Sequence, residues 1–170
     1  MDVLKAALVL FVAALLQLSV LTEYRLFRTA SIVLVALLSI ALLRGSIFGA
    51  VAGFVTGLLL DTGTLGTLGI TSLLLTLGGF WIGRYGETTA RDRFHAPFVS
   101  VAVVTCLYAF GQLALFFVLG EPAPADIVVH ALPLGLLLNL LLTVPVYALI
   151  RRLFPPLELG DRVREVRLLG

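Results

Sequence analysis

"LLRGSIFGAVAGFVTGLLLD", residues 42–61, decides how this chain is built. It belongs to an apolar tract, residues 30–60, that is too long for one bilayer-crossing helix of about 20 residues. The tract is broken by Arg44-Gly45, a charge followed by a residue that favours turns. Extending the first half back to Tyr24 restores about 20 residues, with Arg25 and Arg28 snorkelling toward the surface. Extending the second half forward carries Asp61 just inside the membrane. Two antiparallel spans are the reading that follows. A re-entrant hairpin over 30–60, leaving four spans in all, is the alternative.

Composition sets the solvent. The chain has 170 residues, 60% hydrophobic and 13% charged, with a mean hydropathy of +1.11. Soluble domains carry about 25% charged residues, so the deficit points to lipid. Further apolar runs cover residues 4–21, 65–83, 97–119 and 127–150. The first lacks a small-x-small cleavage site before Glu23 and is read as a retained helix, not a leader. The expected architecture is all-α: a polytopic membrane protein with six transmembrane helices over residues 1–150 and a short cytoplasmic tail over 151–170. The soluble pieces are too short to hold a core of their own. The lone cysteine, Cys106, allows no disulfide within the chain.

Charge gives the orientation. With the N-terminus inside, ten of the twelve Lys and Arg residues are cytoplasmic, and only Arg25 and Arg28 lie outside. That is a strong positive-inside bias, so both termini are expected in the cytoplasm. The basic residues mark segment ends rather than a patch, and a net charge of +2 gives no reason to expect nucleic acid.

Gly45, Gly49, Gly53 and Gly57 recur every four residues and end at Asp61. Residues four apart advance about 400° around a helix, so the row is a shallow groove winding round it. Such a groove admits another backbone closely, and in lipid this packing replaces the hydrophobic drive between helices. It fits either internal packing or a docking face for a different protein. Asp61 needs a partner, because a carboxylate inside a span is costly. Arg28 lies 16 residues before Arg44 and Asp61 lies 16 after Gly45, so a hairpin brings them to similar depth. An Arg28–Asp61 pair or an exposed loop cap is favoured over an ion or substrate site, with a partner contact as the third option.

Gln17 late in the first span and Asn139 midway along the last are amides in hydrocarbon, read as hydrogen bonds across helices. Pro133 and Pro145 flank Asn139 and predict an irregular last helix whose freed carbonyls line a cavity. His95 and His130 fall on opposite sides of the bilayer in this topology. No Cys/His cluster or carboxylate pair suits a metal, cofactor or acid–base chemistry, so no enzyme is expected.

Two stretches carry a resemblance. "LLRGSIFGAVAGFVTGLLLDTGTLGTLGITSLLL" resembles the glycine-rich segment of the MreD family of rod shape-determining proteins, with Gly57, Asp61, Leu68 and Gly69 at the matching positions. "LLLNLLLTVPVYALIRRLF" resembles that family's last helix through Asn139, Pro145, Tyr147, Arg151 and Arg152, and Gln17 also fits. Where the family often opens its second helix with Pro-Asp, this chain has Thr29-Ala30. The resemblance implies a non-catalytic scaffold of bacterial wall elongation in the inner membrane. It would associate with MreC and, through it, with MreB, RodA and a penicillin-binding transpeptidase. The family's fold is similar to substrate-binding subunits of energy-coupling-factor transporters, which supplies a rival: small-molecule capture. That reading demands an outward pocket of convergent polar groups, and the outer half offers only Arg28, Asp61, His130 and Gln17.

Overall fold

A computed structural model of the chain describes residues 2–21, 31–64, 68–90, 95–120 and 125–154. Among them are six α-helices and no strand: α1 (Asp2–Leu16), α2 (Ile32–Arg44), α3 (Ser46–Thr64), α4 (Ile70–Tyr85), α5 (Ala96–Leu119) and α6 (Ala125–Leu153). A π-helical turn, Gln17–Leu21, extends α1, and another, Gly86–Ala90, extends α4. Three helices hold segments long and apolar enough to cross a membrane: Ser46–Gly63, Ala96–Leu119 and Leu132–Leu153. The apolar stretches Val3–Ser19 and Ile32–Arg44 are shorter.

α2 is the hub. It is apolar all round, and a helix of that kind must be buried on every side. Each residue from Val33 to Leu43 is indeed buried, with α1, α3, α4, α5 and α6 packed about it. Its 13 residues span only about 20 Å. The continuous helix reaching back to Tyr24 that the sequence suggests does not form. Ser31 is extended (φ −122°, ψ 93°), and its hydroxyl accepts from Leu34 N–H, so α2 starts at Ile32. Arg25 and Arg28 lie outside the described residues.

The Arg44-Gly45 break is a turn between α2 and α3. Gly45 has φ +102°, a conformation that L side chains rarely adopt. Two other boundaries depart from the sequence reading. The second half of the apolar tract, read from sequence as ending near Asp61, continues as helix to Thr64. The next helix begins at Ile70 rather than near 65, after Gly69 in the left-handed region at φ +99°. α6 also runs unbroken through Pro133 and Pro145, where an irregular helix was expected.

The outer surface is apolar on several helices. Leu4, Leu8, Trp81, Phe117, Leu137 and Leu141 are all exposed. Apolar area on this scale must be covered by lipid or by other protein. The interior is made of aliphatic residues, with Phe154, just beyond α6, fully buried beneath the Arg44 guanidinium 5.3 Å above its ring.

Candidate functional site

The glycine row faces α4. A Cβ built on Gly49 would strike the Gly79 carbonyl, one on Gly53 the Leu75 carbonyl, and one on Gly57 the Ser72 backbone. The reverse holds from α4, where a Cβ on Gly79 would strike Gly49 and one on Gly83 would strike Gly45 and Ser46. The opposed pairs run 45 with 83, 49 with 79, 53 with 75 and 57 with 72. One index rises as the other falls, which is the register of an antiparallel pair in backbone contact. A hydrogen bond from Ser72 Oγ to the Phe54 carbonyl (3.1 Å) crosses the same seam. The space beside Gly49, Gly53 and Gly57 is therefore filled by this chain.

Asp61 closes the far end of the seam. It is 3% exposed, and its two carboxylate oxygens accept from the backbone of the next helix. Oδ2 takes Gly69 N–H (2.8 Å) and Ser72 N–H (3.3 Å), and Oδ1 takes Thr71 N–H (3.2 Å). The first turn of a helix leaves N–H groups without intrahelical partners and carries partial positive charge, so a carboxylate there is doubly suited. Nearby, Gln112 donates to the Tyr108 hydroxyl across one turn of α5 (3.0 Å). Arg28, the expected partner of Asp61, lies outside the described residues.

The same problem arises at the start of α2, deep among the other helices, and is met by residues from three elements. Asn139 Oδ1 accepts Ser31 N–H at 2.7 Å, while Asn139 Nδ2 donates to Thr105 Oγ1 at 3.1 Å. Gln17 Oε1 accepts Val33 N–H at 3.1 Å and the Ser31 hydroxyl at 3.2 Å. The two amides that the sequence places in separate spans thus converge on one helix N-terminus. At the opposite end of the bundle, Glu87 Oε1 accepts Ser46 N–H (2.8 Å) and caps α3. Glu87 also stands 3.9 Å from Arg84.

Between α1 and α3 lies an open groove of about 850 Å³. Its walls are apolar or small, including Leu4, Phe11, Ile47, Val51, Ala52 and Val55, with Arg44 and Glu87 among its lining. Among the described residues no three His, Cys, Asp or Glu side chains gather as a metal would require. His95 is exposed at the start of α5, and the side chain of His130 is not among those described.

Sequence reasoning missed several residues that complete this arrangement. Gly79 and Gly83 repeat at four like the row they oppose, which was a readable signal. Ser31 before an apolar run is a helix-start signal. Glu87 had none: it reads as one more charge in a cytoplasmic loop.

Residues 3–153 match the family model described as rod shape-determining protein MreD. No curated protein and no solved structure matches the chain. The family match spans nearly all of the sequence, and the chain belongs to the MreD family.

Proposed function

We propose that this MreD-family chain is a non-catalytic scaffold of the machinery that elongates the bacterial cell wall. In this reading residues 1–150 cross the cytoplasmic membrane six times, both termini are inside, and residues 151–170 form a short cytoplasmic tail. Its partner is an MreC-like protein, and through that partner it acts with MreB, RodA and a penicillin-binding transpeptidase. The observation that carries the reading is the family match over residues 3–153. Two structural features support it. Asn139, Gln17 and Asp61, the polar side chains the sequence places inside spans, bond helix starts. Arg44, Arg84 and the end of α6 with Arg151 and Arg152 gather at one end of the bundle, in keeping with the positive-inside rule.

Complementation in a rod-shaped host tests it. Depleting the host's own MreD should give round, wide cells, and this chain expressed at native level should restore rods and capture the MreC-like protein. Failure to restore shape by a chain that reaches the membrane at normal level, with no MreC-like protein captured, would refute the scaffold reading. Vitamin-dependent growth with unchanged shape would point to the transport-type binder instead.

A further inference from the structure

Arg44-Gly45-Ser46, the turn that links α2 to α3, is gripped by residues from two distant parts of the chain. From the end of α4, the Glu87 carboxylate accepts Ser46 N–H at 2.8 Å and the Ser46 hydroxyl at 3.1 Å. The same carboxylate stands where a Cβ on Gly45 would lie, and Gly45 holds φ +102°, so a larger residue is shut out on both counts. Glu87 belongs to the π-helical turn that extends α4, a geometry common at functional sites. From the end of α6, the Phe154 ring is fully buried with the Arg44 guanidinium 5.3 Å above it. Phe154 N–H bonds the Ile150 carbonyl at 2.8 Å, so the ring is carried by the helix.

The turn is also the first step of the glycine seam. A Cβ on Gly83 would strike the Gly45 carbonyl and one on Gly86 the Leu42 carbonyl, so α4 lies directly on backbone here. Backbone in such contact cannot rotate aside, and close-packed parts transmit strain instead of absorbing it. Three consecutive residues thus hold the roots of the two segments that the proposed topology places in the cytoplasm: the chain after α4 and the chain after α6. We propose that the Arg44-Gly45-Ser46 turn couples these two segments. Loosening the root of one loosens the root of the other, with the inner end of the seam as the part they share, and the effect is reciprocal. A partner bound to either segment would in this way be registered at the other. The coupling rests on the contacts; only the side of the membrane on which it operates rests on the topology proposed above.

Amide hydrogen exchange of the full purified chain in one detergent tests it. Exchange is read in peptides covering residues 84–90, 147–154 and 69–75, the last at the far end of α4. Glu87→Ala should speed exchange in 147–154 at least about twofold, and Phe154→Leu should do the same in 84–90, as expected of residues in one network. Glu87→Gln, which keeps an oxygen for Ser46 N–H, should return 147–154 toward wild-type protection. Exchange in 69–75 should match the wild type throughout. If Phe154→Leu does not fold, Arg44→Lys serves in its place, since it keeps the charge and loses the planar face over the ring. Variants that speed only their own segment would overturn the proposal. So would equal speeding in 69–75, which reports a loss of overall stability and not a coupling. The measurement involves no membrane, so a failed coupling leaves the proposed topology standing.

Discussion

Replacing Gly53 by alanine separates two effects of opposite sign. In a helix interior alanine is favoured over glycine by about 1 kcal/mol. The seam opposes this gain. The new Cβ would lie 2.7 Å from the Leu75 carbonyl carbon and 3.0 Å from Thr76 N, where ordinary contact begins at 3.4 Å. The shortfall of about 0.7 Å (3.4 less 2.7) is against backbone, which cannot rotate away. α3 and α4 must therefore part, and a gap of about 0.5–1 Å forfeits a quarter to a half of each dispersion contact along the interface. Overpacking of this kind costs about 1–3 kcal/mol. Gly53→Ala should be destabilised by up to about 2 kcal/mol net (about 1–3 less about 1), at roughly 2–4 °C of Tm per kcal/mol for a chain of this size. Gly63→Ala is the control, because its Cβ meets only the end of the Leu18 side chain, and it should unfold within about 0.5 kcal/mol of the wild type. Thermal unfolding of the purified chain in one detergent measures both. Gly53→Ala more stable than the wild type by about 1 kcal/mol, the full helix-propensity gain, would mean that α4 does not lie against the row. If capture of an MreC-like protein were lost as well, the row would be a docking face.

Three further outcomes follow from the capped helix starts and the charge pattern. Asp61→Ala leaves Gly69, Thr71 and Ser72 N–H without their acceptor and should cost about 1–3 kcal/mol, whereas Asp61→Asn, which keeps one oxygen, should cost less; unfolding midpoints of the two variants decide. Gln17→Leu and Asn139→Leu act on the same α2 start, so their costs should fail to add by about 0.5 kcal/mol or more in a double-mutant cycle, and strict additivity would mean independent roles. In a Cys106→Ser background, Thr88→Cys should be shielded from an impermeant thiol reagent applied to intact cells and Leu119→Cys labelled; both sites are exposed, and the reverse pattern would invert the proposed topology.

The elements were legible because hydrocarbon imposes a simple rule on them. Each apolar run had to become a helix, since a spanning segment must satisfy its own backbone. The turn at Arg44-Gly45 was legible for the same reason, as a charge and a glycine interrupt a tract too long for one span. The glycine row announced that some backbone comes close. Its neighbour could not be named from spacing alone, because repeat geometry describes a surface and not what lies on it. Asp61 was harder. Its burial demanded compensation, and sequence arithmetic looked for an opposite charge, while the structure also sets three backbone donors only 8, 10 and 11 residues ahead of it. A local cap leaves no periodic trace, so counting toward a distant arginine could not find it.

Why these polar residues sit at helix starts follows from the shape of the bundle. α2 is about 20 Å long inside a structure whose longest helices exceed 30 Å, so its N-terminus opens among the other helices rather than at a surface. Its orphan N–H groups cannot turn to water, and each left unpaired would cost free energy on the scale of a lost buried hydrogen bond. The nearest acceptors must come from α6 and from the turn after α1, which is where Asn139 and Gln17 stand. A shortened central helix therefore requires a pair of amides from its neighbours. Those amides in turn tie both ends of the chain to its middle: Gln17 from the beginning, Asn139 from the last helix. Buried Asn139 and half-buried Gln17 thus hold the start of α2 against the first and last helices, and the loss of either should be felt at that junction.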